Sequence, residues 1–128
     1  MAKNEMILCD TNIFINLFNG NDKVKKALEK IGSENIALSI ITYAEIIYGT
    51  RKSKLKLIRS FFGRHDVIDI DTGISKVFKG IVLNYSYNHH IKIPDAFIAA
   101  TAIHLGISLY TENKKDFDFI PEIKFRSP

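Results

Sequence analysis

The sequence predicts an α/β fold in three layers, a central parallel sheet of four to five short strands flanked by helices. Three observations lead there. Apolar runs of strand length alternate with longer stretches of helical periodicity along the whole chain. Glycines close several of the periodic stretches, where helices commonly stop. No internal repeat, linker or low-complexity tract divides the 128 residues, so residues 1–128 read as one domain.

Met6 to Cys9 is the first strand, and the polar turn Asp10-Thr11-Asn12 leads into a helix carrying Ile13, Phe14, Ile15, Leu17 and Phe18. After Asn19-Gly20-Asn21-Asp22, a second helical stripe of Val24, Leu28 and Ile31 stops at Gly32. Ile36 to Ile41 is the second strand. Thr42 then opens a helix through about Tyr48, ended by Gly49, and Leu55, Leu57, Ile58, Phe61 and Phe62 mark another before Gly63. Val67 to Ile70 is the third strand, and Asp71-Thr72 caps a helix carrying Ile74, Val77, Phe78, Ile81, Val82 and Tyr85. Ile93 to Leu105 is the most apolar helix and is expected to be central and buried. Ser108 to Tyr110 is the fourth strand, residues 111–119 a loop with some helical turn, and Ile123 to Phe125 an edge strand. In such a sheet ligands bind beyond the carboxyl ends of the strands, so function is sought just after each strand.

Composition narrows the function. With 46% hydrophobic, 25% charged and 11% aromatic residues, the chain is of ordinary globular type. No apolar run reaches the length of a membrane span, and no signal peptide is evident, so a cytoplasmic protein without a membrane partner is expected. The single cysteine, Cys9, excludes an internal disulfide and a cysteine-based zinc site, and its apolar neighbours mark it as a core thiol. His65, His89, His90 and His104 form no zinc-binding pattern, and no phosphate-binding glycine loop is present. The balance is 18 Lys and Arg against 14 Asp and Glu, a net +4; if four acids are sequestered in a site, the remaining ten leave +8, a surface that attracts phosphate.

Four acids stand where such a site belongs: Asp10 after the first strand, Glu45 in the helix after the second, Asp95 opening the buried helix, and Asp116 after the fourth strand. Each has a plain structural explanation. Asp10 is placed to cap a helix, Thr42 with Glu45 fits a capping box, Asp95 after Pro94 suits a helix dipole, and Asp116 fits a loop. The apolar neighbours of Glu45 and Asp95 instead suggest that the acids are partly buried together. Clustered carboxylates repel one another unless a cation neutralises them, which points to a hard metal with oxygen ligands and to phosphodiester hydrolysis by a metal-activated water.

Four blocks, Ile7-Leu8-Cys9-Asp10-Thr11-Asn12-Ile13-Phe14-Ile15, Ser39-Ile40-Ile41-Thr42-Tyr43-Ala44-Glu45, Ile93 to Ala102, and Tyr110-Thr111-Glu112-Asn113-Lys114-Lys115-Asp116-Phe117, together resemble the PIN-domain nucleases, specifically VapC-type toxins of toxin–antitoxin pairs. The resemblance spans essentially the whole chain. It implies a PIN-like fold and a Mg2+- or Mn2+-dependent endoribonuclease. The acidic site carries over to Asp10, Glu45, Asp95 and Asp116, with Asp10 and Asp95 foremost as metal ligands and Glu45 and Asp116 acting directly or through water. Glu112 is an alternative to Asp116, and one or two ions are both open, since Ile93 and Pro94 stand where many relatives carry another acid. Thr11, Asn12, Thr111 and Asn113 match small polar positions that support the acids or the water. The resemblance further implies an RNA substrate, a homodimer and a cognate small antitoxin protein. Phe14, Leu17, Phe18, Ile46, Ile47, Tyr48, Phe61 and Phe62 are candidates for the antitoxin groove, or else for core.

Three other readings compete. A PIN-like RNA-processing nuclease without an antitoxin has the same chemistry, and a non-catalytic RNA- or protein-binding module keeps the fold without it. A haloacid dehalogenase-type phosphotransferase requires Asp-x-Asp after the first strand, and Asn12 occupies the second of those positions.

Overall fold

The computed structural model describes residues 6–126. Four strands, β1 (Ile7–Cys9), β2 (Ile36–Ser39), β3 (Asp66–Ile68) and β4 (Ser108–Tyr110), form an all-parallel sheet in the order β3-β2-β1-β4. Each crossover holds two helices: α1 (Thr11–Phe18) and α2 (Asp22–Ile31), then α3 (Ile40–Gly49) and α4 (Leu55–Phe62), then α5 (Thr72–His89) and α6 (Ile93–Leu105).

Side-chain alternation along the strands builds the three layers. Successive residues of a strand point to opposite faces. Leu8, Ala37 and Leu109 accordingly pack with Ile74 and Ile81 of α5 and with the alanine-rich α6. Cys9, Ile36, Leu38 and Tyr110 pack on the other face with Phe14, Val24, Ile46 and Phe62 from α1 to α4. On α6, Ala96, Ile98, Ala99, Ala100, Thr101 and Ala102 are buried, as its composition predicts. Cys9 is fully buried, and desolvation pushes its thiol pKa far up, so it is an inert core residue.

Several boundaries differ from the sequence expectation. β2 ends at Ser39, not Ile41, because the Ser39 hydroxyl accepts from the Ile41 N–H at 3.0 Å and starts α3 there. Thr42 is therefore inside the helix, and the expected capping box with Glu45 does not form. β3 stops at Ile68, short of Ile70. The expected strand Ile123 to Phe125 reduces to a single parallel bridge, Leu109 to Phe125, flanked by backbone bonds from Leu109 N to Lys124 O and from Arg126 N to Leu109 O, both 2.8 Å. That bridge still covers the outer edge of β4, which would otherwise offer unpaired backbone groups. The Asp71 cap is as expected: its carboxylate accepts from Ile74 N at 2.8 Å.

Strand order reverses at β1, with β2 on one side and β4 on the other. A crevice at the carboxyl ends of β1 and β4 is the place where such sheets bind ligands. Asp10 and Thr111 are the residues that immediately follow those two strands.

Candidate active site

Asp10 leaves β1 with its N–H bonded to Tyr110 O of β4 at 2.9 Å, and its side chain caps α1 by accepting from Thr11 N at 2.7 Å. Its second carboxylate oxygen accepts from the Thr111 hydroxyl at 2.8 Å. Both oxygens are thus oriented by donors from the switch point, and the residue is only 5% exposed. Burial raises its pKa, the Thr111 hydroxyl and Thr11 N–H partly offset that rise, and the charges of Glu45 and Asp116 add to it.

Glu45 projects from the second turn of α3 and is exposed, contrary to the partial burial its apolar neighbours suggest. Helix geometry explains this: Ile46 is buried in the core, while Glu45, about 100° around the helix from it, stands with Ala44 on the exposed side. Its Oε1 accepts from the Thr11 hydroxyl at 2.7 Å, and Thr11 in turn lies 3.0 Å from the fully buried Thr42 hydroxyl. The consistent proton order runs from Thr42 to Thr11 to Glu45, because a carboxylate only accepts. Thr42 is the supporting residue that the sequence reading misassigned to a helix cap. Its position one turn before Glu45 on the same helix is the signal that marks it.

Asp95 occupies the first turn of α6, following Pro94, and is half-buried. Its pKa rises from an ordinary 3.8 to about 6, first through burial and then through the charges of Asp10 and Asp116, with Lys92 offsetting and Glu45 adding a smaller push. Asp116 closes a short 3-10 turn, Lys114–Asp116, and is exposed. The charges of Glu45 and Asp116 thus both act on Asp10 and on Asp95, and that of Asp10 acts on Asp95. Asp116, rather than Glu112, acts on both Asp10 and Asp95, whereas the charge of Glu112 acts on Tyr110.

The four small polar positions contribute differently. Thr11 and Thr111 bond carboxylates through their hydroxyls. The Asn12 side chain accepts from Glu112 N at 3.4 Å and ties α1 to the loop after β4. The Asn113 side chain makes no such link; its backbone N–H donates to Thr111 Oγ1 at 3.0 Å, a contact any non-proline residue supplies.

Among the described residues no group of three His, Cys, Asp or Glu is arranged to hold a metal ion unaided. The acids form an open set of hard oxygen donors. That chemistry fits an ion that keeps several waters and takes its remaining oxygens from a phosphate, as magnesium does, and does not suit an all-protein cage.

A groove of about 540 Å3 runs between α1, α3 and α4, lined by the apolar Ile15, Phe18, Ile46, Leu57 and Ile58 and by polar groups that include Glu45, Arg51 and Lys54. Of the apolar residues considered for such a groove, Phe14, Ile46 and Phe62 are buried in the core, and only Phe18 and Ile46 reach the groove wall. Ile15 and Leu57, 46% and 67% exposed, and the buried Ile58 supply the rest of the apolar wall.

The PIN domain family profile matches residues 7–122 of this chain, and a switch-point crevice flanked by convergent carboxylates is the structural setting of that match. The chain belongs to the PIN domain family. It is 33% identical to Ribonuclease VapC1 of Methanocaldococcus jannaschii over 121 residues, covering 91% of this chain and 82% of that protein. Among solved structures it is similar to a toxin–antitoxin complex from Klebsiella pneumoniae, at 35% identity and TM-score 0.79 over 91% of this chain and 94% of that one. It is similar also to VapBC2 of Rickettsia felis bound to a DNA fragment from their promoter, at 26% identity and TM-score 0.82 over 94% and 97% of the two chains.

Proposed function

We propose that this chain is a divalent-metal-dependent endoribonuclease that serves as the toxin of a type II toxin–antitoxin pair. The observation that carries this reading is the set of four carboxylates, one at the β1–α1 junction, one in α3, one in the first turn of α6 and one in the loop after β4, whose charges act on Asp10 and Asp95 beside the point where the strand order reverses. The similarity to Ribonuclease VapC1 and to toxin–antitoxin complexes supports RNA as the substrate and a small antitoxin as the partner.

Asp10 and Asp95 would hold Mg2+ or Mn2+, with Glu45 and Asp116 completing the set directly or through water. Such an ion, when bound, lowers the pKa of a water and neutralises charge at the phosphate. The chain itself supplies orientation. Thr111 and the Thr11 N–H fix the two oxygens of Asp10, and the Thr42–Thr11 relay aims Glu45 across the crevice. Asp95, raised to about 6 by burial and by the neighbouring acids, is largely ionised at neutral pH, and a cation held there would offset the repulsion and favour its charged form.

The groove beside Glu45 suits an amphipathic antitoxin helix, and an arginine from the same partner, with its planar fork, is the group best fitted to pair with the carboxylates. Leu83 and Tyr87, one turn apart on α5 and 79% and 87% exposed, favour a homodimer that covers them. No helix among the described residues is long and apolar enough to cross a membrane, and RNA cleavage of this kind belongs in the cytoplasm.

The test is to incubate purified protein with structured RNAs and Mn2+, Mg2+ or chelator, map the cuts, and repeat with Asp10→Asn and Asp95→Asn. Metal-dependent internal cleavage lost in both variants is expected. Co-expression with the neighbouring small reading frame should yield a complex that does not cleave. Cleavage without a binding neighbour would return the chain to an RNA-processing nuclease, and RNA binding without cleavage to a binding module.

A further inference from the structure

A second, smaller pocket of about 80 Å3 opens where the turn between α5 and α6 meets the loop after β4. His89, His90, Lys92 and Lys115 line it together with Asp95 and Asp116, so cationic and imidazole groups share one space with two of the acids. One imidazole of the pocket is held in place by packing. His89, though exposed, is held by a parallel stack on Phe119, with ring centroids 4.2 Å apart and planes inclined by 2°. Tyr85 contacts both rings, at 5.8 Å to His89 and 5.3 Å to Phe119.

His90 is the only described non-glycine residue in the left-handed region, with φ 53° and ψ 40°, and it forms the C-cap of α5. Glycine takes that conformation without steric penalty, whereas a histidine bears strain there. The strained turn puts an imidazole at the pocket where the unstrained residue would leave none. No hydrogen bond or ion pair within the described residues engages His89, His90, Lys92 or Lys115 through its side chain.

We propose that this pocket binds a backbone phosphate of the single-stranded RNA substrate, the one adjacent to the phosphate being cut, and so sets the position of the strand over the acids. The inference rests on the ribonuclease reading and adds to it a positioning role for Lys92, Lys115 and His90. A pocket of this size, about 80 Å3, is large enough for one phosphate group. The lysines serve as point charges on the phosphate, and the imidazole N–H groups as directional donors.

The test measures binding of a short mixed-sequence single-stranded RNA, kept intact by chelator, across a salt series, together with steady-state cleavage in Mn2+. Lys92→Ala/Lys115→Ala should weaken binding about tenfold and make the log–log salt dependence shallower by about 0.7, the value for one phosphate contact on a single strand. Lys115→Ala alone should raise KM with little change in kcat, whereas Lys92→Ala also removes a charge that acts on Asp95 and should lower kcat as well. Lys76→Ala/Lys79→Ala removes the same charge from α5 at roughly 15 to 20 Å from His89, at 1.5 Å per residue, and should change the slope far less.

His90→Gly separates a binding role from a structural one: it should raise or hold the melting temperature by relieving the left-handed strain, yet weaken RNA binding about threefold. The pocket assignment is overturned if Lys92→Ala/Lys115→Ala binds like wild type or no worse than Lys76→Ala/Lys79→Ala, if only kcat falls, or if His90→Gly binds RNA unchanged. Wild-type protein that neither binds nor cuts RNA would instead overturn the ribonuclease reading itself.

Discussion

Asp95 couples the chemistry of the crevice to the stability of the chain. Its carboxyl is raised from 3.8 to about 6, so the folded protein holds that proton more tightly than the unfolded chain does. The stabilisation this provides is complete below about pH 4 and is lost as pH rises through about 6. Metal-free protein should therefore show a melting temperature that falls across that window, and Asp95→Asn should flatten the fall and melt higher at pH 7. Thermal melts in chelator across pH 4 to 8 check both, and a melting temperature that rises through the window would contradict the burial and repulsion assigned to Asp95. Thr11 is the second decisive residue. Thr11→Val removes the donor to Glu45 and leaves the fully buried Thr42 hydroxyl without its partner, at a cost of about 1–3 kcal/mol. Thr11→Ser keeps both bonds and should restore stability and cleavage, as chemical denaturation and an RNA-cutting assay would show.

At the scale of elements, α1, α3 and α4 share apolar side chains between two tasks. Phe14 and Phe62 meet edge-to-face at 5.4 Å in the core, and Phe18 and Phe61 pack against them from outside at 5.2 Å from each other. Phe62→Ala should cost about 3–5 kcal/mol, since it removes a ring that is 2% exposed and leaves a cavity behind. Leu57, 67% exposed on α4, carries no such burden. Leu57→Glu should leave the melting temperature within a degree or two yet abolish capture of the antitoxin, because it puts a charge into the groove an amphipathic helix would fill. Pull-down and melting of the two variants distinguish the roles; loss of partner binding only in Phe62→Ala would show that the groove is not the docking surface.

For the whole molecule, the parallel sheet places Asp10 and Thr111 side by side at its topological switch, and the helix layers bring Glu45 and Asp95 to the same crevice from opposite faces. A cation that binds only the folded crevice stabilises the entire fold by mass action, by about 1.4 kcal/mol at about ten times its Kd. Millimolar Mn2+ should thus raise the melting temperature of wild type and not of Asp10→Asn/Asp95→Asn, and chelator should remove cleavage without unfolding the chain. Calorimetric melts with and without the ion test this, and equal shifts in both proteins would place the ion elsewhere.

Much of this protein was legible in its residues one after another. Short apolar runs and helical periodicity marked the four strands and six helices, with an expected edge strand that reduces to one bridge, and Asp10, Asp95 and Asp116 stood out because they follow a strand or open a helix. The order β3-β2-β1-β4 and the pairing of Asp10 with Thr111, 101 residues apart, depend on long-range packing that no local pattern encodes. The same holds for Ser39 displacing Thr42 as the cap of α3, and for the division of eight apolar residues between core and groove. Hydrophobicity drives a side chain out of water without saying which surface will cover it, and only the packed layers decide whether Phe62 is core, Leu57 is groove, and Glu45, flanked by apolar neighbours, faces solvent.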